Sequence, residues 1–129
     1  MSELTIGLRG RATFRVEALH TAEALGSGDV PVFGTPSLVA LLETAAVNAV
    51  AGRLGPGETT VGTWLDVSHL AATPVGSDVS AEAELVGIEG RRLIFVVVAH
   101  DARNKIGEGR HHRMIVSRER FLAKVPGPR

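Results

Sequence analysis

The sequence predicts an α+β fold in which a curved antiparallel β-sheet wraps around one long central helix. Three observations lead to this prediction. Residues 35–52 begin with a helix-start signal and are apolar on nearly every side, four segments after residue 59 have the pattern of strands, and one strand-like segment precedes the helix. A helix this apolar is expected to be buried all round, and a curled sheet would provide that burial.

The chain before the helix predicts a strand and a loop. Residues 4–18 mix apolar and polar positions roughly in alternation, which favours a first strand. Residues 19–34 are irregular and include the turn signal Gly26-Ser27-Gly28-Asp29. We therefore expect a turn or mobile loop ahead of the helix.

The helix has recognisable ends. Thr35 is expected to cap its start through the side-chain oxygen, and Pro36 suits the first helical turn because it lacks an N–H. Gly52, or the Gly-Pro-Gly of residues 55–57, is expected to end it. Three polar side chains interrupt the apolar run that starts at residue 38, and they are Glu43, Thr44 and Asn48.

The second half of the chain predicts four strands in a meander, which span residues 59–71, 78–88, 92–100 and 106–118. Glu89-Gly90 is a hairpin signal between two of them. A strand, a buried helix and then four strands is the order of the hotdog fold, although other α+β folds share it. We expect at least a homodimer, formed by pairing of edge strands, because one such layer is thin.

Composition narrows the class of protein. The 129 residues fit a single domain, and a net charge of +0 argues against nucleic acid or an anionic membrane as the main partner. The chain has no cysteine, which excludes disulfides and thiolate chemistry. The absence of a signal-peptide pattern and of a membrane-length apolar run predicts a cytoplasmic protein.

Three residues are candidates for acid–base chemistry. Glu43 is a carboxylate within an apolar helix, which points either to a site with a perturbed pKa or to a solvent-facing gap or interface ion pair. Thr35, besides capping, lies where a helix start would favour an oxyanion. His69, near a strand end, is the best general base in the chain if it is not simply structural.

Other features of the sequence are weaker indications of a functional site. Gly62 within a strand indicates a bulge or a close approach of ligand to backbone. The basic side chains of the second half indicate either a solvated strand face or arginine recognition of phosphates such as those of coenzyme A. These are Arg91, Arg92, Arg110, Arg113, Arg118, Arg120 and Lys124. No spacing of histidines and carboxylates suggests a metal site.

Several segments, in order and without large gaps, resemble the fluoroacetyl-CoA thioesterase-like family of hotdog proteins. The most distinctive are the His-Leu-Ala-Ala-Thr-Pro of residues 69–74 and the Glu-Gly-Arg-Arg of residues 89–92. Others are residues 32–35, the Leu-Leu-Glu of residues 41–43, and residues 61–63, 99–101, 106–109 and 121–125. The resemblance covers about residues 30 to 125, and the first 30 residues match poorly.

The resemblance implies a catalytic set of Thr35, Glu43 and His69 at a thioester. It also implies that the Gly62 backbone lies against the acyl group and that Arg113 lines the site. Phe33 is expected to contact substrate. The fluoroacetyl-specific member carries phenylalanines in the lid ahead of the helix, whereas residues 24–31 here have none. We therefore do not expect selectivity for fluoroacetyl-CoA.

The expected activity is hydrolysis of a short-chain acyl-CoA to a carboxylate and free CoA, with no cofactor other than the CoA of the substrate. His69 would act as general base and Glu43 would activate water or attack the thioester. Thr35 would position the acyl group or act as nucleophile. The alternative is a non-catalytic module that binds acyl-CoA or an acyl carrier. A hotdog hydratase ranks last, because the Asp-x-x-x-x-His pair of that chemistry is absent before the helix.

Overall fold

A computed structural model describes residues 3–128. One five-stranded antiparallel sheet packs against one long helix, as predicted. The strands are β1 (Arg9–Arg15), β2 (Glu58–His69), β3 (Asp78–Glu89), β4 (Arg92–His100) and β5 (Lys105–Ser117). The helices are α1 (Ala22–Leu25), α2 (Thr35–Ala49) and α3 (Arg118–Ala123), with a 3-10 turn over Ala18–His20.

The sheet is not the simple four-stranded meander that was predicted. Its order is β1-β3-β4-β5-β2, so only β3, β4 and β5 are successive hairpin neighbours. β2 pairs with β5, and the segment 70–77 crosses from that edge to β3. β1 fills the place beside β3. The sequence pattern identified the strands, but pairing between distant strands leaves no periodic signal.

The core lies between the sheet and α2. Every second residue of β3 from Val79 to Leu85 is buried, and β4 repeats this alternation with residues 93, 95, 97 and 99. A Cβ atom at Gly10 would lie 2.1 Å from the backbone nitrogen of Ala49. A glycine is therefore required where β1 passes beneath the end of α2.

The prediction that α2 is buried all round was wrong for the single chain. One face is buried against the sheet, whereas the opposite face leaves Ala40, Thr44 and Asn48 exposed, and Val47 is 42% exposed. α2 lies mainly over β1, β3 and β4 and has few contacts with β2. The apolar residues on the open face therefore mark a surface that a second chain could cover.

The remaining differences between the prediction and the structure concern the ends of elements and two short helices. The first strand begins at Arg9 rather than at residue 4, and α1 forms within the stretch that was expected to be irregular. α1 ends at Gly26, whose φ of 69° is left-handed. α2 ends at Ala49, ahead of the expected glycine stops, and α3 was not predicted. Both missed helices are short, with four and six residues, so periodicity could not reveal them.

Candidate functional site

The first group of predicted site residues lies at the start of α2. The prediction that Thr35 caps this helix was wrong, because Gly34 occupies the N-cap position and no side chain within residues 3–128 caps the helix. The Thr35 hydroxyl oxygen instead lies 2.8 Å from Nδ1 of His69, at the end of β2. Because the cap falls one residue earlier, the hydroxyl is free to bond the imidazole.

The surroundings of His69 favour a neutral ring. Its Nε2 atom is buried and has no hydrogen-bond partner within residues 3–128. The ring of Phe33 packs edge-on against it with centroids 6.3 Å apart, and Phe33 itself is buried. Burial lowers the pKa of His69 below its ordinary value of 6.5. An uncharged imidazole with one nitrogen unused can accept a proton at neutral pH.

A cavity of about 430 Å³ opens beside the Thr35–His69 pair. Apolar side chains form much of its wall, among them Val30 and Val32 of the loop before α2, Phe33 and Leu70. This wall suits a small apolar group better than a charged one.

The second group surrounds Glu43, near the middle of α2. Glu43 Oε2 accepts a hydrogen bond of 3.1 Å from Nη1 of Arg113. Gly62 of β2 lies directly beneath, since a Cβ atom built there would come within 2.4 Å of the same carboxylate oxygen. Within residues 3–128, the polar contacts of Glu43 with Arg113 and His111 all use Oε2. Oε1 is therefore left for water or substrate.

Arg113 is held on every side by protein groups. Its Nε donates to the Thr60 hydroxyl at 2.9 Å, and its Nη2 donates to the Thr60 carbonyl at 3.1 Å. Nη1 is shared between Glu43 and Nε2 of His111, 3.1 Å away. With the residue only 6% exposed, the structure makes Arg113 a partner of Glu43 and not a surface ligand for phosphate.

The sequence analysis did not single out His111 or Thr60. His111 is fully buried, and its Nδ1 lies 2.9 Å from the Trp64 carbonyl oxygen. A carbonyl can only accept, so Nδ1 carries the proton and Nε2 accepts from Arg113. Burial is the main cause that lowers the pKa of His111, and the Arg113 charge adds to it. Its place two residues before Arg113 on one strand was the available signal.

A β-bulge brings the two groups to one face of the sheet. Gly62 and His69 are seven residues apart, so a regular strand would turn them to opposite faces. The register of β2 against β5 shifts between Gly62 and Trp64, with Thr63 as the extra residue. The bulge predicted for Gly62 is thus confirmed, and the group that lies close to its backbone in the structure is the Glu43 carboxylate. Trp64 turns outward and stacks on His112.

Within one chain the two groups stay apart. Within residues 3–128, Glu43 makes polar contacts with Arg113 and His111 and with neither Thr35 nor His69. Thr35 and Glu43 are eight residues apart on α2, which is about 12 Å along a helix axis. The chain therefore presents two separate groups of candidate residues, which we call the Thr35 half-site (Thr35, His69, Phe33) and the Glu43 half-site (Glu43, Gly62, Arg113).

Other expectations can be compared with the structure. Residues 3–128 contain no cluster of three or more histidines and carboxylates that could hold a metal. Over the same span, no helix has the length and apolarity needed to cross a bilayer. Arg91 pairs with Glu58, and Arg92 pairs with Glu89.

Comparison with known proteins identifies the family. Residues 11–119 match the protein family described as fluoroacetyl-CoA-specific thioesterase. The chain belongs to this family. It is thus a thioester hydrolase with the hotdog fold, as the resemblance in its motifs implied.

Three similar proteins support this family assignment. The fluoroacetyl-CoA thioesterase of Streptantibioticus cattleyicolor is 49% identical over 94 residues, which are 73% of this chain and 68% of that protein. The crystal structure of a variant of the fluoroacetyl-CoA-specific thioesterase FlK superposes with a TM-score of 0.90 at 40% identity and covers 97% of each chain. A thioesterase superfamily member from Thermus thermophilus superposes with a TM-score of 0.87 at 26% identity, over 95% of this chain and 91% of that one.

Proposed function

We propose that the protein hydrolyses short-chain acyl-CoA thioesters to the carboxylate and free CoA, in a homodimer with no resident cofactor. The observation that carries this proposal is the Thr35–His69 pair, with an unpartnered and buried Nε2 beside an apolar cavity. A general base needs an uncharged nitrogen within reach of water, and an acyl group needs an apolar wall. A cytoplasmic location is a prediction of the same proposal.

The roles follow from the contacts. His69 takes the proton of the attacking water or of the Thr35 hydroxyl. Glu43, held through Oε2, presents Oε1 to water or to the thioester carbon. Thr35 positions the acyl group or attacks it. Backbone N–H groups in the first turn of α2 stabilise the oxyanion, because the first N–H groups of a helix have no partner within it.

We further propose that each active site combines the Thr35 half-site of one chain with the Glu43 half-site of another. β2 is a 12-residue strand at the sheet edge, and its unpaired side favours addition of another strand. Two copies of β2 can pair antiparallel about a twofold axis between Leu65 and Asp66. Gly62 then lies opposite His69 of the partner subunit, about 5 Å across the strand pair. Glu43, which covers Gly62, would face the missing partner of Nε2.

The acyl group is proposed to be short. The cleft beside His69 has a volume of about 430 Å³, and most of the side chains in its wall are apolar. Fluoroacetyl-CoA is the substrate in the names of the relatives, but residues 24–31 carry none of the phenylalanines expected of the fluoroacetyl-specific lid. We therefore propose a substrate range that includes acetyl-CoA and other short acyl groups and is not restricted to the fluorinated one.

Thiol release from a panel of acyl-CoAs tests the proposal. The panel contains acetyl-, fluoroacetyl-, propionyl-, butyryl- and octanoyl-CoA. We expect turnover of the short members, and a fall of about 100-fold or more in kcat for His69→Gln and for Glu43→Gln, a loss typical of key groups in such sites. His100→Gln, on the exposed end of β4, is the matched control and should turn over at the wild-type rate.

Two outcomes would contradict the proposal. Wild-type rates in both Glu43→Gln and His69→Gln would show that the site is elsewhere. Binding of acyl-CoA in calorimetry without release of thiol from any member would favour the non-catalytic binding module instead.

A further inference from the structure

The cavity beside His69, which we call the acyl cleft, has two walls from different parts of the chain. One wall comes from the segment ahead of Thr35 and the other from residues 69–72, at and beyond the end of β2. The second wall belongs largely to the segment 70–77, here called the crossover, which contains no helix or strand of its own. The contacts that fix the crossover therefore also fix the width of the acyl cleft and the place of the imidazole.

Backbone hydrogen bonds hold the crossover at its two ends and join it to the other wall. The Leu70 N–H donates to the Ile106 carbonyl at 2.7 Å, and the last two residues of the crossover bond to the backbone of Val16. Between these ends, the Thr73 carbonyl accepts a hydrogen bond of 2.9 Å from the Phe33 N–H. Because Phe33 lines the opposite wall, a shift of Thr73 would move both walls.

A single side-chain bond ties the middle of the crossover to the sheet. Thr73 is fully buried, and its hydroxyl donates to Oδ2 of Asp101 at 2.8 Å. Within residues 3–128, no other side chain of the crossover makes a hydrogen bond. A buried hydroxyl that loses its acceptor costs free energy, so this bond resists any outward movement of Thr73.

Asp101 is a rigid anchor for this bond. It lies in the turn between β4 and β5, and both of these strands have a neighbour on either side in the sheet. Its other oxygen, Oδ1, accepts the backbone N–H groups of Arg103 and Asn104, at 2.8 Å each. The turn itself needs only Oδ1. The bond from Oδ2 to a residue 28 positions away therefore serves the crossover.

The imidazole of His69 is sensitive to the place of the crossover. Burial lowers the pKa of His69, and the nearby backbone of Ala71, two residues before Thr73, partly opposes that effect. The Phe33 ring packs edge-on against the same imidazole. Both walls thus contact the proposed base, and a wider cleft would leave it less buried.

We propose that Thr73 and Asp101 are positioning residues that keep the acyl cleft narrow, hold His69 in place and thereby limit the substrate to short acyl groups. Neither side chain lines the cleft, so both act through the crossover. The proposal rests on the proposed hydrolysis of acyl-CoA. It assigns the choice of chain length to a bond behind the wall and not to a residue that touches the acyl group.

The variant Thr73→Val tests the bond, because it removes the hydroxyl and keeps the shape of the side chain. The displaced imidazole should slow every substrate, whereas the wider cleft should admit long chains better. We expect kcat for acetyl-CoA to fall about tenfold, since a misplacement of about 1 Å has effects of that order or larger. The ratio of kcat/KM for acetyl-CoA to kcat/KM for octanoyl-CoA should also fall, by about tenfold.

A rescue variant and a matched control come from the same chain. Thr73→Ser restores the hydroxyl and should restore the wild-type ratio. Thr13→Val makes the same exchange at an exposed position of β1 and should leave kcat and the ratio unchanged. A folded Thr73→Val protein with the wild-type ratio would overturn the proposal. An equal loss for both substrates would also overturn it, because a residue that supports only stability has that effect.

Asp101→Asn tests the other end of the bond, and it decides the matter if Thr73→Val does not fold. The asparagine carbonyl can still accept both N–H groups of the turn, but an NH2 group takes the place of the acceptor for Thr73. The ratio should again fall, and an unchanged ratio would overturn the proposal. The double variant should have no lower ratio than Thr73→Val alone, because both changes break one bond.

The titration of His69 separates this proposal from the proposed function. NMR follows the C2 proton of the imidazole without any turnover, and the signal is assigned by its absence in His69→Gln. In Thr73→Val we expect the pKa of His69 to rise toward 6.5, because the ring is less buried. If this rise occurs but no thioester is hydrolysed, the proposed function fails while the positioning of His69 stands. An unchanged pKa would overturn the positioning on its own.

Discussion

At the scale of single residues, the Glu43 carboxylate is positioned by Arg113, which is 70 positions away in sequence. Arg113 in turn is fixed by Thr60 and by His111, whose tautomer is set by the Trp64 carbonyl. If His111 were protonated, its Nε2–H would point at the guanidinium and the contact would be lost. The neutral ring is therefore part of what keeps Glu43 in place.

The histidines give a prediction about pH. Burial lowers the folded-state pKa of both His69 and His111 below 6.5. At a pH between the folded-state and the unfolded-state pKa of each histidine, the unfolded chain binds more protons than the folded chain. The free energy of unfolding should therefore be constant above about pH 7.5 and fall as the pH drops below 6.5. The kcat/KM for acetyl-CoA should stay level through pH 7 and fall on an acid limb whose midpoint lies below 6.5.

Chemical denaturation and initial rates between pH 5 and 8 measure both effects. His111→Asn should reduce the loss of stability in acid, and His100→Gln should not alter it. An acid limb centred above pH 6.5 would contradict the assignment of a neutral His69, with its Nε2 atom buried, as the base.

At the scale of elements, the bulge in β2 decides which residues of the strand share one face of the sheet. If Thr63 were paired regularly instead of bulging, Gly62 and His69, seven residues apart, would lie on opposite faces of the strand. With the bulge, one strand lies under Glu43 at one position and presents the imidazole at another. The sequence feature that allows the carboxylate to approach is the missing side chain at Gly62.

Gly62→Ala tests this role of β2. The added methyl would lie 2.4 Å from Glu43 Oε2 and 3.2 Å from Arg113 Nη1, so the carboxylate must move. We expect kcat for acetyl-CoA to fall about 10- to 100-fold, because displacement of about 1 Å costs on that order. Gly87→Ala is the matched control: it too lies at a strand register shift, but its methyl would meet only the Ile94 side chain, at 3.1 Å from Cδ1 and 3.3 Å from Cβ, and no candidate site residue.

Thermal unfolding of both variants shows whether they fold. A Gly62→Ala protein that is folded and turns over acetyl-CoA at the wild-type rate would refute a catalytic position for Glu43.

At the scale of the whole molecule, residues 3–128 of a single chain leave three features open. His69 Nε2 has no hydrogen-bond partner among them, the open face of α2 exposes Val47, and one side of β2 pairs with no other strand of this span. Pairing of two chains through β2 would remedy these features at once, with an isologous interface of the kind that twofold dimers use.

Mixing two inactive variants tests the composite site. Glu43→Gln retains its Thr35 half-site, and His69→Gln retains its Glu43 half-site. Refolded together in equal amounts, they should recover about a quarter of the wild-type rate, because half of the dimers are mixed and each has one intact site. Each variant refolded alone is the control. Mixed dimers, verified by mass, that stay at the level of the separate variants would mean that each site belongs to one chain.

The prediction from sequence succeeded where the information is local. The alternation of apolar residues located β2 to β5 within two residues at each end, and the apolar run located α2. The same approach missed α1 and α3, because so few turns provide no period to detect. It gave Thr35 a capping role because a threonine before a proline fits that role, whereas the backbone bond from the Gly34 N–H to His20 shows where the chain enters the helix.

The sequence by itself therefore determined the fold class, the family and the residues that make up the two half-sites, since side-chain chemistry and periodicity are properties of the chain. The tertiary structure decided the strand order, the bulge that turns Gly62 and His69 to one face, and the clamp of Thr60 and His111 on Arg113. Apart from the His111–Arg113 contact within β5, these features depend on residues far apart in the chain, such as Thr60 and Arg113, which are 53 positions apart. Packing and burial select such pairings, and no local pattern reveals them.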